Sequence, residues 1–215
     1  MKRSLLVALM MGSWFLSQSA FAQDSKGEKQ ESGWVSLFDG KTMSGWTALP
    51  LSGDASKSKW EVVDGAITGS GEASMLFSPK GHYKNFKFRA EVKINDHGNS
   101  GMYFRTAKKP SFTDGYECQI NSSHGDPIRS GSIYTMVHIY KNIVPPDTYF
   151  TQEVEVFDKD YRGQMVTFIR VYINGELLYE LLDHDRLFKE GHFAFQQHDP
   201  GSKVSIRKVE VKELP

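Results

Sequence analysis

Hydrophobic residues recur along this chain at every second position, and that period predicts β-strands through most of its length. The clearest run is 86–94, where Phe86, Phe88, Ala90, Val92 and Ile94 alternate with Lys87, Arg89, Glu91 and Lys93. One face of such a strand is apolar and the other charged, as in a sheet with one wet side. Met102 and Phe104 repeat the pattern beside Tyr103 and Arg105, and Tyr116, Cys118 and Ile120 repeat it beside Glu117, Gln119 and Asn121. A further strand is expected at 131–139, where Ile133, Thr135, Val137 and Ile139 alternate with Tyr134, Met136 and His138.

The turn chemistry agrees. Asp64-Gly65 and Asn174-Gly175 sit between short apolar runs, and these pairs tolerate the positive φ of a tight hairpin. A change of phase between Ile206 and Val209 predicts a β-bulge. Residues 183–188 have room for one helical turn, and no amphipathic helix is expected elsewhere after residue 22. Many strands with frequent Gly, Asn and Asp turns predict an all-β sandwich of two antiparallel sheets. No fixed-period repeat is present, which argues against a propeller.

The N-terminus changes the picture of where this domain works. Lys2 and Arg3 precede a mostly apolar stretch, 5–16, and Ala20-Phe21-Ala22 supplies a small-x-small cleavage pattern. This is an export signal, with the mature chain starting at Gln23 and a periplasmic or extracellular location expected. The stretch is too short, and too interrupted by Gly12 and Ser13, to anchor in a bilayer, so no membrane insertion is expected after its removal. Residues 23–32 are polar and read as a disordered linker, which leaves 33–215 for the sandwich. Lys and Arg total 26, Asp and Glu total 26, and the basic residues are dispersed. That balance excludes nucleic acid or an anionic membrane as the main partner. Cys118 is the only cysteine, so the fold rests on packing rather than a disulfide, and its apolar neighbours mark it as a buried small hydrophobe.

If 102–106, 115–121 and 131–139 share a sheet, their wet faces collect Tyr103, Arg105, Glu117, Gln119, Tyr134 and His138. An ordinary solvated face carries Lys, Glu, Thr and Ser. This set suits a sugar, since rings cover C–H faces and planar polar groups take hydroxyls. Arg105 and Glu117 form the natural ion pair, either catalytic or a structural cross-strand pair. His138 is a candidate proton shuttle or a structural histidine. Gln196-Gln197-His198-Asp199-Pro200-Gly201 offers a second candidate, an acid/base His198 supported by Asp199, or simply a turn. Glu153 and Glu155 share a strand face and fit a solvated strand better than a glycosidase dyad. The histidines lack tight metal-ligand spacing, so a zinc site is not indicated and no cofactor is expected, with a divalent cation such as calcium left open. Asp96, Asn99, Asn121 and Asp126 are oxygen donors of the kind calcium takes, but loops are rich in them anyway. No phosphate-binding glycine motif is present.

These motifs, in order, are similar to those of the 3-keto-disaccharide hydrolase domain family. The resemblance runs through Leu37-Phe38-Asp39-Gly40-Lys41-Thr42-Met43-Ser44-Gly45-Trp46, Gly98-Asn99-Ser100-Gly101-Met102-Tyr103-Phe104-Arg105, Gly115-Tyr116-Glu117-Cys118-Gln119-Ile120 and Phe195-Gln196-Gln197-His198-Asp199-Pro200-Gly201. It implies a concanavalin-like jelly roll with a cleft on the concave sheet, and action on glycosides oxidised to a ketone at carbon 3. It places Arg105, Glu117, Gln119 and His198 at motif positions. A ketone at carbon 3 acidifies the proton on carbon 2, so a base can remove it and expel the group on carbon 1 before water adds. On this reading Glu117 or His138 is the base, Arg105 or a bound divalent cation in its place holds the enolate, His198 protonates the leaving oxygen, and Tyr103, Gln119, Tyr134, Gln196 and Asp199 bind the sugar. A non-catalytic carbohydrate-binding module is the alternative. One departure stands out: Tyr149-Phe150 replaces the family's Trp-Asn, and if 140–150 borders the cleft, substrate choice differs here.

Overall fold

The computed structural model describes residues 33–51 and 54–215. The expected export signal and linker, 1–32, lie outside the described residues. Thirteen strands follow in order: β1 Val35–Ser36, β2 Thr47–Pro50, β3 Ser58–Val63, β4 Ala66–Gly71, β5 Ser74–Phe77, β6 Phe86–Ile94, β7 Asn99–Thr106, β8 Tyr116–Asn121, β9 Phe150–Tyr161, β10 Gln164–Ile173, β11 Glu176–Asp183, β12 His192–Gln197 and β13 Val204–Glu213. Apart from one 3-10 turn, Ala55–Lys57, the described residues hold no helix.

The strands form two antiparallel sheets. The larger runs β11-β10-β9-β6-β13-β4-β3, with β1 added beside β13, and the smaller runs β2-β5-β12-β7-β8. The expected all-β sandwich is the observed fold. Its core is the apolar half of the alternation: Phe86, Phe88, Ala90, Val92 and Ile94 of β6 are at most 1% exposed. They face Phe193 and Phe195 of β12, and the Phe88 ring stacks on Phe193 at 3.9 Å. Each such burial stabilises the fold by about 1.5–3 kcal/mol. Cys118 lies in this core as expected.

Both expected hairpin turns form, with Asp64 and Gly65 at φ 51° and 75°, and Asn174 and Gly175 at 52° and 82°. The β13 bulge forms between Arg207 and Glu210, with Lys208 at φ 49°. Two expectations fail. Residues 183–188 make no helical turn; the Asp183 carboxylate instead accepts the backbone N–H of Asp185, Arg186 and Leu187, holding them as a bent loop. Residues 131–139 are not a strand, because Gly131 and Thr135 take φ of 85° and 69°. That segment turns back on itself through a bridge between Ile133 and Val137, and it meets β8 only along 131–134, by a bridge from Ile133 to Cys118 and backbone hydrogen bonds to Glu117 and Gln119.

Unlike the larger sheet, the smaller one is buried on both faces at β7 and β8, where no residue is exposed or half-buried. On its outer face Tyr103 packs with Met75, Phe77 and Ala194, covered by Leu49, Leu51 and Phe112. This second layer makes the outer face of the smaller sheet a walled site rather than an open surface.

Candidate active site

Over that outer face lies a cavity of about 330 Å³ lined by Asn99, Glu117, Gln119 and Gln196 from the sheet, with Phe112, Asp126, Tyr134, Leu187, Phe188 and His198 from surrounding loops. Three adjacent strands bring the polar floor together. Register places Tyr103 opposite Glu117, Gly101 opposite Gln119 and Asn99 opposite Asn121 across β7 and β8, while β12 adds Gln196 on the other side of β7. Gly101 is essential to this floor. A Cβ there would stand 2.3 Å from Glu117 Oε1 and 2.8 Å from its Cγ, so the glutamate lies across the space a side chain would fill.

The amides are arranged to meet a ligand. Gln119 Nε2 donates to Asn99 Oδ1 at 3.0 Å, and the Asn99 amide hydrogens meet no acceptor among the described residues. Gln196 Nε2 donates to the Tyr103 hydroxyl at 3.1 Å. The Oε1 atoms of Gln119 and Gln196 are buried and have no hydrogen-bond partner among the described residues, although both side chains line the cavity. Buried polar atoms without partners are costly, and a polyhydroxylated ligand would satisfy them.

Glu117 is 7% exposed. Burial pushes its carboxyl up to about 8; the Tyr103 hydrogen bond works against this, and the negative charge of Asp126 adds to it. At neutral pH this side chain is a neutral acid. Desolvation likewise raises the Tyr103 hydroxyl well above its usual range, with Glu117 adding to the effect, so Tyr103 remains a hydrogen-bond donor.

His198 closes one side. Its Nδ1 lies 2.7 Å from Asp199 Oδ2, so the carboxylate holds the proton on Nδ1 and leaves Nε2 with its lone pair free. The ring stacks on Phe112 at 5.8 Å. His124 stands behind, its Nε2 3.8 Å from Asp199 Oδ2. Among the described residues, His124, His198 and Asp199 are the cluster whose ligand atoms lie close enough to share a cation, within 4.8 Å of one another. The spacing of the histidines gave no hint of it. His124 Nδ1, however, already accepts the Asp126 N–H at 3.0 Å, so its proton sits on Nε2. A cation would have to displace that proton. In this hydrogen-bonded arrangement the trio is built to hold His198 rather than a metal.

Several candidates are not in the cavity. Arg105 makes no pair with Glu117. It occupies a bulge at φ 51°, where four residues of β7, Tyr103 to Thr106, span three of β12, His192 to Ala194. The extra residue turns Arg105 through its own sheet into the interior, against Asp158 at 3.0 Å, Thr167, and the carbonyls of Lys84 and Phe188. It therefore cannot hold an enolate in the cavity. His138 is exposed, contacts the Tyr140 hydroxyl at 3.2 Å and does not line the cavity, because 131–139 loops away from the sheet. Tyr134 does line it and reaches the Asp126 carboxylate at 3.3 Å. The four oxygen donors considered for calcium are used internally: Asp96 accepts from Ser123, Asn121 from His124 N, Asn99 from Gln119 and Asp126 from Ile128 N. Tyr149 lies on the larger sheet, over Lys93 and Arg207, and does not border this cavity. Glu155 sits in an ion-pair ladder with Lys87 and Arg170 on the outer face of that sheet. Neither strand alternation nor motif spacing marks Phe112, His124, Leu187 or Phe188 in the sequence, while Asn99 stands there in a family motif and as an oxygen donor, and Asp126 as an oxygen donor alone.

Residues 33–212 match the model of the 3-keto-alpha-glucoside-1,2-lyase-like domain. The chain belongs to that family. A stretch of 82 residues is 37% identical to a 3-keto-disaccharide hydrolase of Bacteroides thetaiotaomicron, and it spans 34% of this chain and 27% of that longer relative. Among solved structures, the "putative glycosyl hydrolase" of Parabacteroides distasonis superposes with a TM-score of 0.66 at 17% identity, covering 84% of this chain and 99% of that one. A carbohydrate-binding module, CBM66 of Bacillus subtilis, superposes at 0.57 and 17%, covering 79% and 96%. At such identities these structures share the fold with this lyase-like domain.

Proposed function

We propose that this protein cleaves glycosides whose sugar is a ketone at carbon 3, by elimination across carbons 1 and 2 followed by hydration. Membership of the lyase-like family supports the reaction class. The observation that carries it is a cavity holding both a neutral carboxylic acid, Glu117, and an imidazole with a free nitrogen, His198. A site that only binds sugar needs neither.

The protonation states reverse the roles expected from the sequence. His198 Nε2 takes the proton from carbon 2, and Asp199 stabilises the imidazolium that forms. The Asn99 amide hydrogens donate to the developing enolate oxygen. Electrons from the broken C2–H bond form the C1–C2 double bond and break the bond from carbon 1 to the leaving oxygen, which takes its proton from Glu117. Water then adds its oxygen to carbon 1 and gives a proton to Glu117, while His198 returns its proton to carbon 2. Both groups end as they began.

The test compares a 3-keto-glucoside with its unoxidised parent. Only the ketone should be cleaved, and equal cleavage of both defeats the elimination. The rate on the ketone should fall as pH rises through about 8, because Glu117 must be protonated. A rate that climbs through the same range would make Glu117 the base. Export to the periplasm or outside the cell, after cleavage at Ala22, completes this reading.

A further inference from the structure

A second cavity of about 330 Å³ lies on the outer face of the larger sheet, lined by Thr68, Lys93, Asn95, Asp147, Tyr149, Lys203, Ser205 and Arg207, with Val63 and Asp64 at the β3–β4 hairpin. It exists because of one row across four strands. Register sets Lys93 of β6 beside Ser205 of β13, Ser205 beside Thr68 of β4, and Thr68 beside Glu61 of β3. The two middle positions carry short hydroxyl side chains between long charged ones, so the row sinks in the middle.

This hollow has unused binding capacity. Thr68 is 3% and Ser205 8% exposed, yet neither hydroxyl has a hydrogen-bond partner among the described residues. Lys93 and Lys203 have no carboxylate within ion-pair distance among the described residues. Arg207 is held by Glu91 at 2.6 Å. Tyr149 orders the cationic wall, with Lys93 Nζ 4.8 Å and the Arg207 guanidinium 3.9 Å from its ring. Two amines without counter-ions call for an anion. The two hydroxyls and the carboxylates of Asp64 and Asp147 call for a partner rich in hydroxyls.

From this we infer that the hollow binds a sugar acid, a hexuronate residue whose carboxylate meets Lys93 and Lys203 while its hydroxyls meet Thr68, Ser205 and the acidic rim. This is a second glycan contact, separate from the Glu117 cavity and independent of whether that cavity is catalytic. It also gives Tyr149, where the chain departs from its family's motif, a place in binding away from the cleft.

The experiment is an amide-resolved NMR titration of the protein with glucuronate, glucose and acetate. Glucuronate should saturate with shifts centred on Thr68, Lys93 and Ser205, while glucose and acetate bind at least about tenfold more weakly. Lys93→Met with Lys203→Met should weaken glucuronate by about tenfold or more, and Lys93→Arg with Lys203→Arg should retain it. Turnover of a 3-keto-glucoside should be unchanged in both variants, which separates this site from the proposed catalysis. The inference is overturned if glucuronate does not bind or if glucose or acetate matches it. It is equally overturned if the Met pair binds normally, or if the shifts centre on Glu117 and Gln119.

Discussion

Glu117 owes its proton to its position in the smaller sheet. It points outward, as the alternation requires, but Phe112, Tyr134 and the neighbouring loops roof that face and leave the side chain only 7% exposed. A carboxyl raised to about 8 has a consequence for stability. The folded state binds this proton more tightly than the unfolded state, so stability falls as pH rises between the unfolded value near 4.5 and the folded value near 8. Glu117→Gln removes that penalty, and the variant should outlast the parent protein in urea at pH 9 while losing turnover. Denaturation curves at pH 6 and 9 measure the difference. Gly101→Ala tests the floor beneath. Its new Cβ would stand 2.3 Å from Glu117 Oε1 and 2.7 Å from the buried Tyr103 ring, so both must shift: the rate on a 3-keto-glucoside should fall at least about tenfold and the melting temperature should fall with it. Tyr103, Glu117, Gln119 and Gln196 could be picked out from sequence because strand alternation dictates which side each faces.

Among the elements, β7 shows how one inserted residue redirects chemistry. Strict alternation puts Arg105 on the same face as Tyr103, but the bulge reverses it, and the guanidinium becomes a buried clamp. It ties β7 to Asp158 of β9 and, through the Phe188 carbonyl, fixes the loop that carries Leu187 and Phe188 to the cavity wall. Arg105→Met should cost about 3–5 kcal/mol, the usual penalty for breaking a buried ion pair, as read from chemical denaturation. A catalytic arginine in the cavity would instead lower turnover with little loss of stability. The bulge in β13 was legible because it interrupts an apolar alternation; the one in β7 was not, since Phe104 and Thr106 flank Arg105 as an unbroken strand would. Residues 131–139 misled for a related reason. Their alternation comes from a loop that buries Ile133, and the positive φ of Thr135, which breaks the strand, leaves no mark in composition.

At the scale of the molecule, the two sheets play different parts. The smaller sheet is roofed and holds the proposed catalytic groups, while the larger presents charged rows to solvent and the second hollow. The proposed export gives a direct expectation: full-length chain made in a Gram-negative host should appear in the periplasm with Gln23 as its N-terminus, and mass spectrometry of that fraction checks it. Retention of residues 1–22 in the cytoplasm would contradict it. The sandwich, its hairpins, the β13 bulge, the place of Cys118 and the family were all readable from residue order, because period-two burial and turn residues act over a few neighbours. Folding alone could show that His124 stands beside the His198–Asp199 pair, that Arg105 turns inward, and that Thr68, Lys93 and Ser205 meet across three strands. Those relations join residues up to about a hundred or more positions apart, and they depend on register and on local backbone angles that side-chain polarity does not encode.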